Sequence, residues 1–269
     1  MTITKMQGLG NDYLYHYGEV PDPSSLSRRL SDRHRGVGAD GLILITPSDV
    51  ADFRMRIFNA DGSEAAMCGN GIRCAGRYVY DHGYTQNRHL TFETRAGIRS
   101  LFLEFCDNRV IGASVCMGQA ILSEEILIRE DSHCWSVVPV NVGVPHAVLF
   151  LESTDTLSPE YDGPLIGRHP DFPDGTNVDF VRVLDRKTLR MRVWERGSGV
   201  TMACGTGACA AVAVAVHRNL CPSDTAIRVC LDGGSLDITV SGKGMITMRG
   251  PSVTICECEV PCDDTEYQL

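Results

Sequence analysis

The chain has 269 residues, 43% of them apolar, with a formal net charge of −9 and a pI near 5.3. That composition can fill a sizeable core, and its charge argues against nucleic-acid or anionic-membrane partners. No stretch approaches the roughly 18 apolar residues of a membrane span, and Met1 to Val20 carries no cleavage-like leader, so the expectation is a soluble, cytoplasmic protein.

The chain opens with a strand over Thr2 to Met6 and a turn at Gly8-Leu9-Gly10-Asn11-Asp12. The polar segment Ser24 to Arg35 has helical spacing at Leu26 and Leu30, and Leu42 to Thr46 and Arg54 to Phe58 read as strands. Ile72, Ala75, Gly76 and Val79 then recur at helical spacing, with small residues that let a helix lie close to a sheet. From Leu90 to Met117 the pattern is strand and turn, broken at Ala96-Gly97 and Asp107-Asn108.

A second round follows. Strands at Val137 to Val142 and Ala147 to Leu151 flank Gly143-Val144-Pro145-His146, and strands at Val178 to Val183 and Leu189 to Trp194 come next. The run Ala211 to Val216 alternates like a strand, but its lack of polar residues also suits a helix buried on all sides. Strands at Ile227 to Leu231, Leu236 to Val240 and Met245 to Arg249 close the round.

The two rounds are copies. Met55-Arg56-Ile57-Phe58-Asn59 and Met67-Cys68-Gly69-Asn70-Gly71 match Met191-Arg192-Val193-Trp194-Glu195 and Ala203-Cys204-Gly205-Thr206-Gly207 at one offset, 191 − 55 = 204 − 68 = 136. The repeat predicts two pseudo-symmetric units and settles 206–218 as a helix, because its counterpart has helical spacing. The fold expected is α/β of the α+β type, each unit a mainly antiparallel sheet wrapped around a central helix that begins at a cysteine. Weaker likeness upstream relates Gly10-Asn11-Asp12-Tyr13 to Gly143-Val144-Pro145-His146, at offset 133. It also relates Ala39-Asp40-Gly41-Leu42 to Asn177-Val178-Asp179-Phe180, at offset 138.

A cysteine at a helix N-terminus meets the positive end of the helix dipole and unpaired backbone N–H groups, which favour thiolate and bind a carboxylate. The glycines after it let a ligand approach the backbone. Two such tips, facing one carbon, could remove a proton from one side and deliver one from the other, inverting a stereocentre. The other ten of the twelve cysteines read as free, mostly buried thiols. Cys68 with Cys74, Cys204 with Cys209, and the trio Cys256, Cys258 and Cys262 lack paired C-x₂-C knuckles, so no structural zinc is expected.

These residues, with Arg56-Ile57-Phe58-Asn59-Ala60-Asp61-Gly62-Ser63-Glu64, Ile72-Arg73-Cys74 and Glu195-Arg196-Gly197-Ser198-Gly199, resemble the diaminopimelate epimerase family over almost the whole chain. The resemblance implies a cofactor-independent enzyme that interconverts LL- and meso-diaminopimelate on the route to lysine and cell-wall peptide. It implies two similar domains with the active site in the cleft between them, here expected as 1–113 plus 256–269 and as 114–255. Cys68 and Cys204 would be the acid and base, with His146 and Glu195 beside them to tune their protonation. Gly69, Asn70, Gly205 and Thr206 would hold the reacting α-carboxylate and amine. Asn11, Asn59, Asn177, Glu195 and Arg196 would contact the substrate, Arg196 on the distal carboxylate.

Two positions depart from the family pattern. Val144 stands where many members carry Asn, and Gly41 where some carry Gln, so the distal centre would be held by fewer side-chain hydrogen bonds, or by water. The partner expected is a small amino-acid substrate. A homodimer is compatible with general symmetry preferences, and no stretch identifies an interface. A proline or hydroxyproline racemase-like enzyme shares the two-cysteine plan but resembles Cys-Gly-His at its first cysteine, where this chain has Cys68-Gly69-Asn70. A pyridoxal-dependent racemase is disfavoured because Lys5, Lys187 and Lys243, the three lysines, sit in no site-like motif. A redox or non-catalytic binding protein on the same fold would need no second cysteine at the repeat offset.

Overall fold

A computed structural model describes residues 1–130, 133–152 and 157–261. It divides into two units, Met1–Ala113 with the segment from Pro251 onward, and Ser114–Gly250. The return to the first unit therefore falls at Pro251 and not at Cys256. A break at Cys256 would cut the strand Val253–Glu259, which pairs along its length with the chain's opening strand. Cys262 lies outside the described residues.

In the first unit, β1 (Thr2–Gly8) and β2 (Asn11–Tyr17) form a hairpin. Its turn places Leu9 and Gly10 at φ of 59° and 83°. Helix α1 (Pro23–Ser31) starts where the Asp22 side chain accepts the Ser25 N–H, with Pro23 in the first turn. It stops short of the sequence expectation of Arg35, because the Asp32 carboxylate accepts the His34 and Arg35 N–H groups and turns the chain. There follow β3 (Gly41–Thr46), β4 (Phe53–Asn59), β5 (Glu64–Ala65), α2 (Gly69–Asp81), β6 (His89–Thr94), β7 (Gly97–Cys106) and the start of β8 (Arg109–Gln119), a strand that runs on past Ala113 into the second unit. β2–β3 and β4–β6 are parallel, and the other pairs of this unit for which a register is resolved are antiparallel. Helix α2 packs against β1, β2, β3 and β7.

The second unit repeats the plan. After β9 (Ile121–Leu122) and β10 (Ile126–Glu130) come β11 (His133–Asn141), β12 (Pro145–Phe150) and α3 (Pro159–Gly167). Then follow β13 (Asn177–Asp185), β14 (Thr188–Glu195), β15 (Gly199–Thr201), α4 (Gly205–His217), β16 (Ile227–Leu231), β17 (Gly234–Val240) and β18 (Met245–Pro251). Again β12–β13 and β14–β16 are parallel, among antiparallel neighbours. Helix α4 packs on β11, β12, β13 and β17, and Ala208 through Ala215 are all buried. The alternating Ala–Val run is thus a helix apolar on every face, whose fully buried valines each contribute roughly 1.5–3 kcal/mol.

Both central helices span 13 residues, and 205 − 69 = 136. The pairing register also fixes β3 against β13. Gly41 opens β3 opposite Asn59, and Asn177 opens β13 one step beyond the Val178–Trp194 pair, opposite Glu195. The offset there is 177 − 41 = 136, so the 138 suggested by side-chain likeness is corrected, and Ile43, not Gly41, is the counterpart of Asp179. Hydrogen-bond register, not local composition, sets that equivalence.

Candidate active site

Each unit caps its central helix with the cysteine singled out by the repeat. Cys68 is extended at φ −138°, ψ 114°, and Cys204 at φ −124°, ψ 113°, so both turn from a strand into a helix in the same way.

The tip of α2 is polar, with amides and a phenol around its sulfur. Gly71 N–H donates to Cys68 Sγ at 3.3 Å, and the thiol donates to Asn11 Oδ1 at 3.3 Å. Asn70 Nδ2 reaches the same Asn11 oxygen at 3.5 Å, while Asn11 Nδ2 donates to Asp40 Oδ2 at 2.7 Å. The Tyr13 hydroxyl bonds Cys68, and its own ionisation is pushed far up, mainly by burial and then by Cys68. Asn70 is held from beneath by Arg73, fully buried, which donates to Asn70 Oδ1 at 2.8 Å, Gly69 O at 3.0 Å and Pro251 O at 3.2 Å. Asn59, at the end of β4, donates to Ser63 Oγ at 3.0 Å within its own turn. One turn into α2, the Cys74 thiol is pushed up to about 11 by burial and stays protonated at neutral pH.

The tip of α4 is built on acid–base groups. Cys204 is 5% exposed, and its sulfur lies 3.3 Å from Thr206 Oγ1. Thr206 Oγ1 is 3.0 Å from His146 Nε2, and His146 Nδ1 is 2.8 Å from Asp179 Oδ2. His146 and Asp179 are both buried, so this is a chain of carboxylate, imidazole, hydroxyl and thiol with water excluded from its inner half. Glu195, at the end of β14, accepts from Thr201 Oγ1. Burial raises its carboxyl above the ordinary range, against the opposing hydrogen bonds from Thr201 and Cys204. Burial, then the charges of Glu195 and Asp179, push the Cys204 thiol well above its ordinary value. Helix position alone would have lowered it; desolvation and two nearby carboxylates win.

Asn177 Oδ1 accepts the Arg196 N–H at 3.0 Å, and Arg196 Nη1 donates to Asp174 O at 2.5 Å, leaving most of its exposed fork open. A groove of about 640 Å³, lined by residues including Asn141, Pro145, Phe172, Asp174 and Arg196, runs beside it. The sequence reading missed Asp179. At the corrected offset a carboxylate stands where the other copy has the core residue Ile43, and that mismatch was the available signal. Among the described residues no three His, Cys, Asp or Glu side chains converge as metal ligands would.

The diaminopimelate epimerase family profile matches residues 3–122 and 138–255. A diaminopimelate epimerase of Desulfitobacterium hafniense is 45% identical over 274 residues, covering 95% of this chain and 96% of that one. One from Acetivibrio thermocellus is 44% identical over 281 residues, covering 98% and 100%. Among solved structures, a probable proline racemase from Agrobacterium radiobacter with bound carbonate superposes with a TM-score of 0.77 at 17% identity, over 98% of this chain and 94% of that one; the likeness is one of fold.

Proposed function

This chain belongs to the diaminopimelate epimerase family, and we propose that its epimerase activity works through two cysteines acting on opposite faces of one α-carbon. Its reaction is the epimerisation of diaminopimelate. The observation that carries the mechanism is the duplication of one device, a cysteine capping a buried helix before a Gly-x-Gly turn, in both units.

In this reading the first-turn N–H groups at Gly69, Asn70, Gly205 and Thr206 take the α-carboxylate, where the helix dipoles favour negative charge and stabilise the developing carbanion. One sulfur, as thiolate, removes the α-proton; the other, as thiol, delivers one to the far face. Thiol and thiolate exchange roles in the reverse direction, so the pair titrates as a coupled unit. Arg196 offers its open guanidinium edge to the distal carboxylate, and Asn11, Asn59, Asn177 and Glu195 are the other side chains that would contact the substrate. His146 and Glu195 tune Cys204. The substrate is a small amino acid, and among the described residues no helix is long and apolar enough to cross a membrane.

The test is turnover of pure LL-diaminopimelate by reduced protein in deuterated water. Early product should carry deuterium at the inverted α-carbon while residual LL substrate stays nearly unlabelled. Equal early labelling of both isomers would sink the two-base reading.

A further inference from the structure

We propose that Asp40 is a positioning residue: its carboxylate fixes the flip of the Asn11 amide, so that the Asn11 carbonyl oxygen, and not its NH2 group, faces Cys68 and Asn70. The proposal rests on the reading of the α2 tip as one half of the epimerase site, and it gives a role to a residue assigned none above.

An amide side chain has two ends of similar shape, one donating and one accepting, and only its neighbours decide which way it turns. An ionised carboxylate can only accept. Asn11 Nδ2 lies 2.7 Å from Asp40 Oδ2, so the NH2 group takes that side and Oδ1 the other. There Oδ1 accepts the Cys68 S–H at 3.3 Å and Asn70 Nδ2 at 3.5 Å. Asn70 is fixed from its own far end, where Arg73, which can only donate, gives an Nη2 hydrogen to Asn70 Oδ1 at 2.8 Å. Two amides thus stand in series between a donor-only cation and an acceptor-only anion, and one orientation of the pair satisfies every bond. Tyr13 agrees with it, since its side chain is bonded to both Asn11 and Cys68. Its hydroxyl proton goes to the sulfur, and its oxygen takes the second Asn11 N–H. With Asn11 turned over, its NH2 group would oppose the thiol and the Asn70 NH2 group, and its oxygen would oppose the Asp40 carboxylate.

The carboxylate is itself held in place. Asp40 Oδ2 also accepts the Asp12 N–H at 3.1 Å, and Arg33 Nη2 bridges Asp40 Oδ1 and Asp12 Oδ1 at 2.9 Å each. Lys5 Nζ, 3.0 Å from Asp12 Oδ2 and bonded to Gly38 O, closes the frame. The Asp40 side chain is 39% exposed, so it stays ionised at little desolvation cost and its bond to Asn11 is charge-assisted. The repeat supplies a control. Tyr13 pairs with Gly41 in the first unit as His146 pairs with Asn177 in the second. The counterparts of Asn11 and Asp40 are then Val144 and Thr176, since 144 − 11 = 133 and 176 − 40 = 136. Where the amide is missing the carboxylate is missing too, although Asn177 opens β13 as Gly41 opens β3. The chain can enter this strand without an acid, and Asp40 is explained by the amide it orients.

The experiment is Asp40→Ala in the full chain, alone and combined with Asn11→Ala. Expected is a kcat/KM for LL-diaminopimelate lowered by about tenfold or more in the wild-type background. The loss should fall below about twofold when Asn11 is already alanine, because both residues act through one amide. An equal loss in the two backgrounds would mean that Asp40 only holds the loop, and would overturn the proposal, as would wild-type kcat/KM in the single variant. Side-chain ¹⁵N–¹H spectra read the orientation directly. In the wild type one of the two Asn11 Nδ2 protons should be displaced downfield and exchange slowly with water, and Asp40→Ala should remove both features. An Asn11 signal unchanged by the substitution would contradict the proposal. If the variant fails to fold, a fast-exchanging Asn11 NH2 group in the wild type is still decisive against it, and a slow one supports it. Absence of epimerisation by the wild type would instead strike the functional reading, and the spectra are independent of that outcome.

Discussion

The two helix tips differ in chemistry while sharing a backbone. Cys68 is partly accessible and sits among amides, a phenol and glycine N–H groups; Cys204 is buried beside two carboxylates and a histidine. At matched positions the first unit has Tyr13 and Ile43, the second His146 and Asp179. Duplication copies the geometry of the helix tip, because that depends on the backbone. It need not copy the side chains around the sulfur, and here it has not. On the proposed mechanism, a symmetric scaffold would therefore hold two acid–base groups of different character.

The largest expected effect comes from removing either sulfur. Cys68→Ala and Cys204→Ala should each lower epimerisation by about 10²–10⁴-fold or more. Each variant should still wash solvent deuterium into only one stereoisomer, the one whose α-proton faces the remaining sulfur; exchange of both isomers by either variant would break the comparison. A smaller effect should separate the glycines beneath the tips. A methyl at Gly207 meets the Asp179 carboxylate at 2.3 Å, whereas one at Gly71 meets the movable end of Ile43 at 2.7 Å. Gly207→Ala should cost more stability than Gly71→Ala, both within about 1–3 kcal/mol. Urea midpoints measure this, and the reverse order would mean that Asp179 can swing away freely.

The smallest effect is in pH dependence. The Glu195 carboxyl is raised by burial above its ordinary 4.5, so the native state keeps a proton that the unfolded chain has released. Its contribution to stability is fully present below pH 4.5 and is lost as pH rises through the folded value. Glu195→Gln should therefore flatten the difference in stability between pH 4 and 8 and gain relative to wild type at the upper end. Identical pH slopes for the two proteins would place Glu195 in contact with solvent.

The repeat made much of this legible in advance. It carried the helix assignment through Ala211 to Val216, where pattern and composition alone left strand and buried helix open, because burial on every side erases the 3.6-residue period. It could not reveal α3, whose Gly163, Pro164 and Gly167 argue against a helix. Those glycines are there for packing: a Cβ on either would fall within 2.5 Å of Trp194, which lies against the helix. Strand β10 was missed as well, since its pattern shows one buried residue, Ile128, among exposed and half-exposed ones. For the site, the sequence exposed the capping cysteines and their glycines, where residue type follows from backbone chemistry. Asp179 stayed hidden because a single acid inside an apolar strand has no periodicity to betray it, and its meaning comes from a partner 33 residues away.

The pairing of β1 with Val253–Glu259 bears on how the chain is made. Thr2 finds its neighbour in Glu259, so β1, once made, waits 259 − 2 = 257 residues for one of its two partners. The second unit, Ser114–Gly250, is complete in sequence before that partner exists. Folding during synthesis would then run inside out, the later-numbered unit closing first while the opening strand keeps a bare edge exposed. Such an edge is a template for pairing with other chains, and slow translation ahead of its partner strand would lengthen the interval in which it is uncovered.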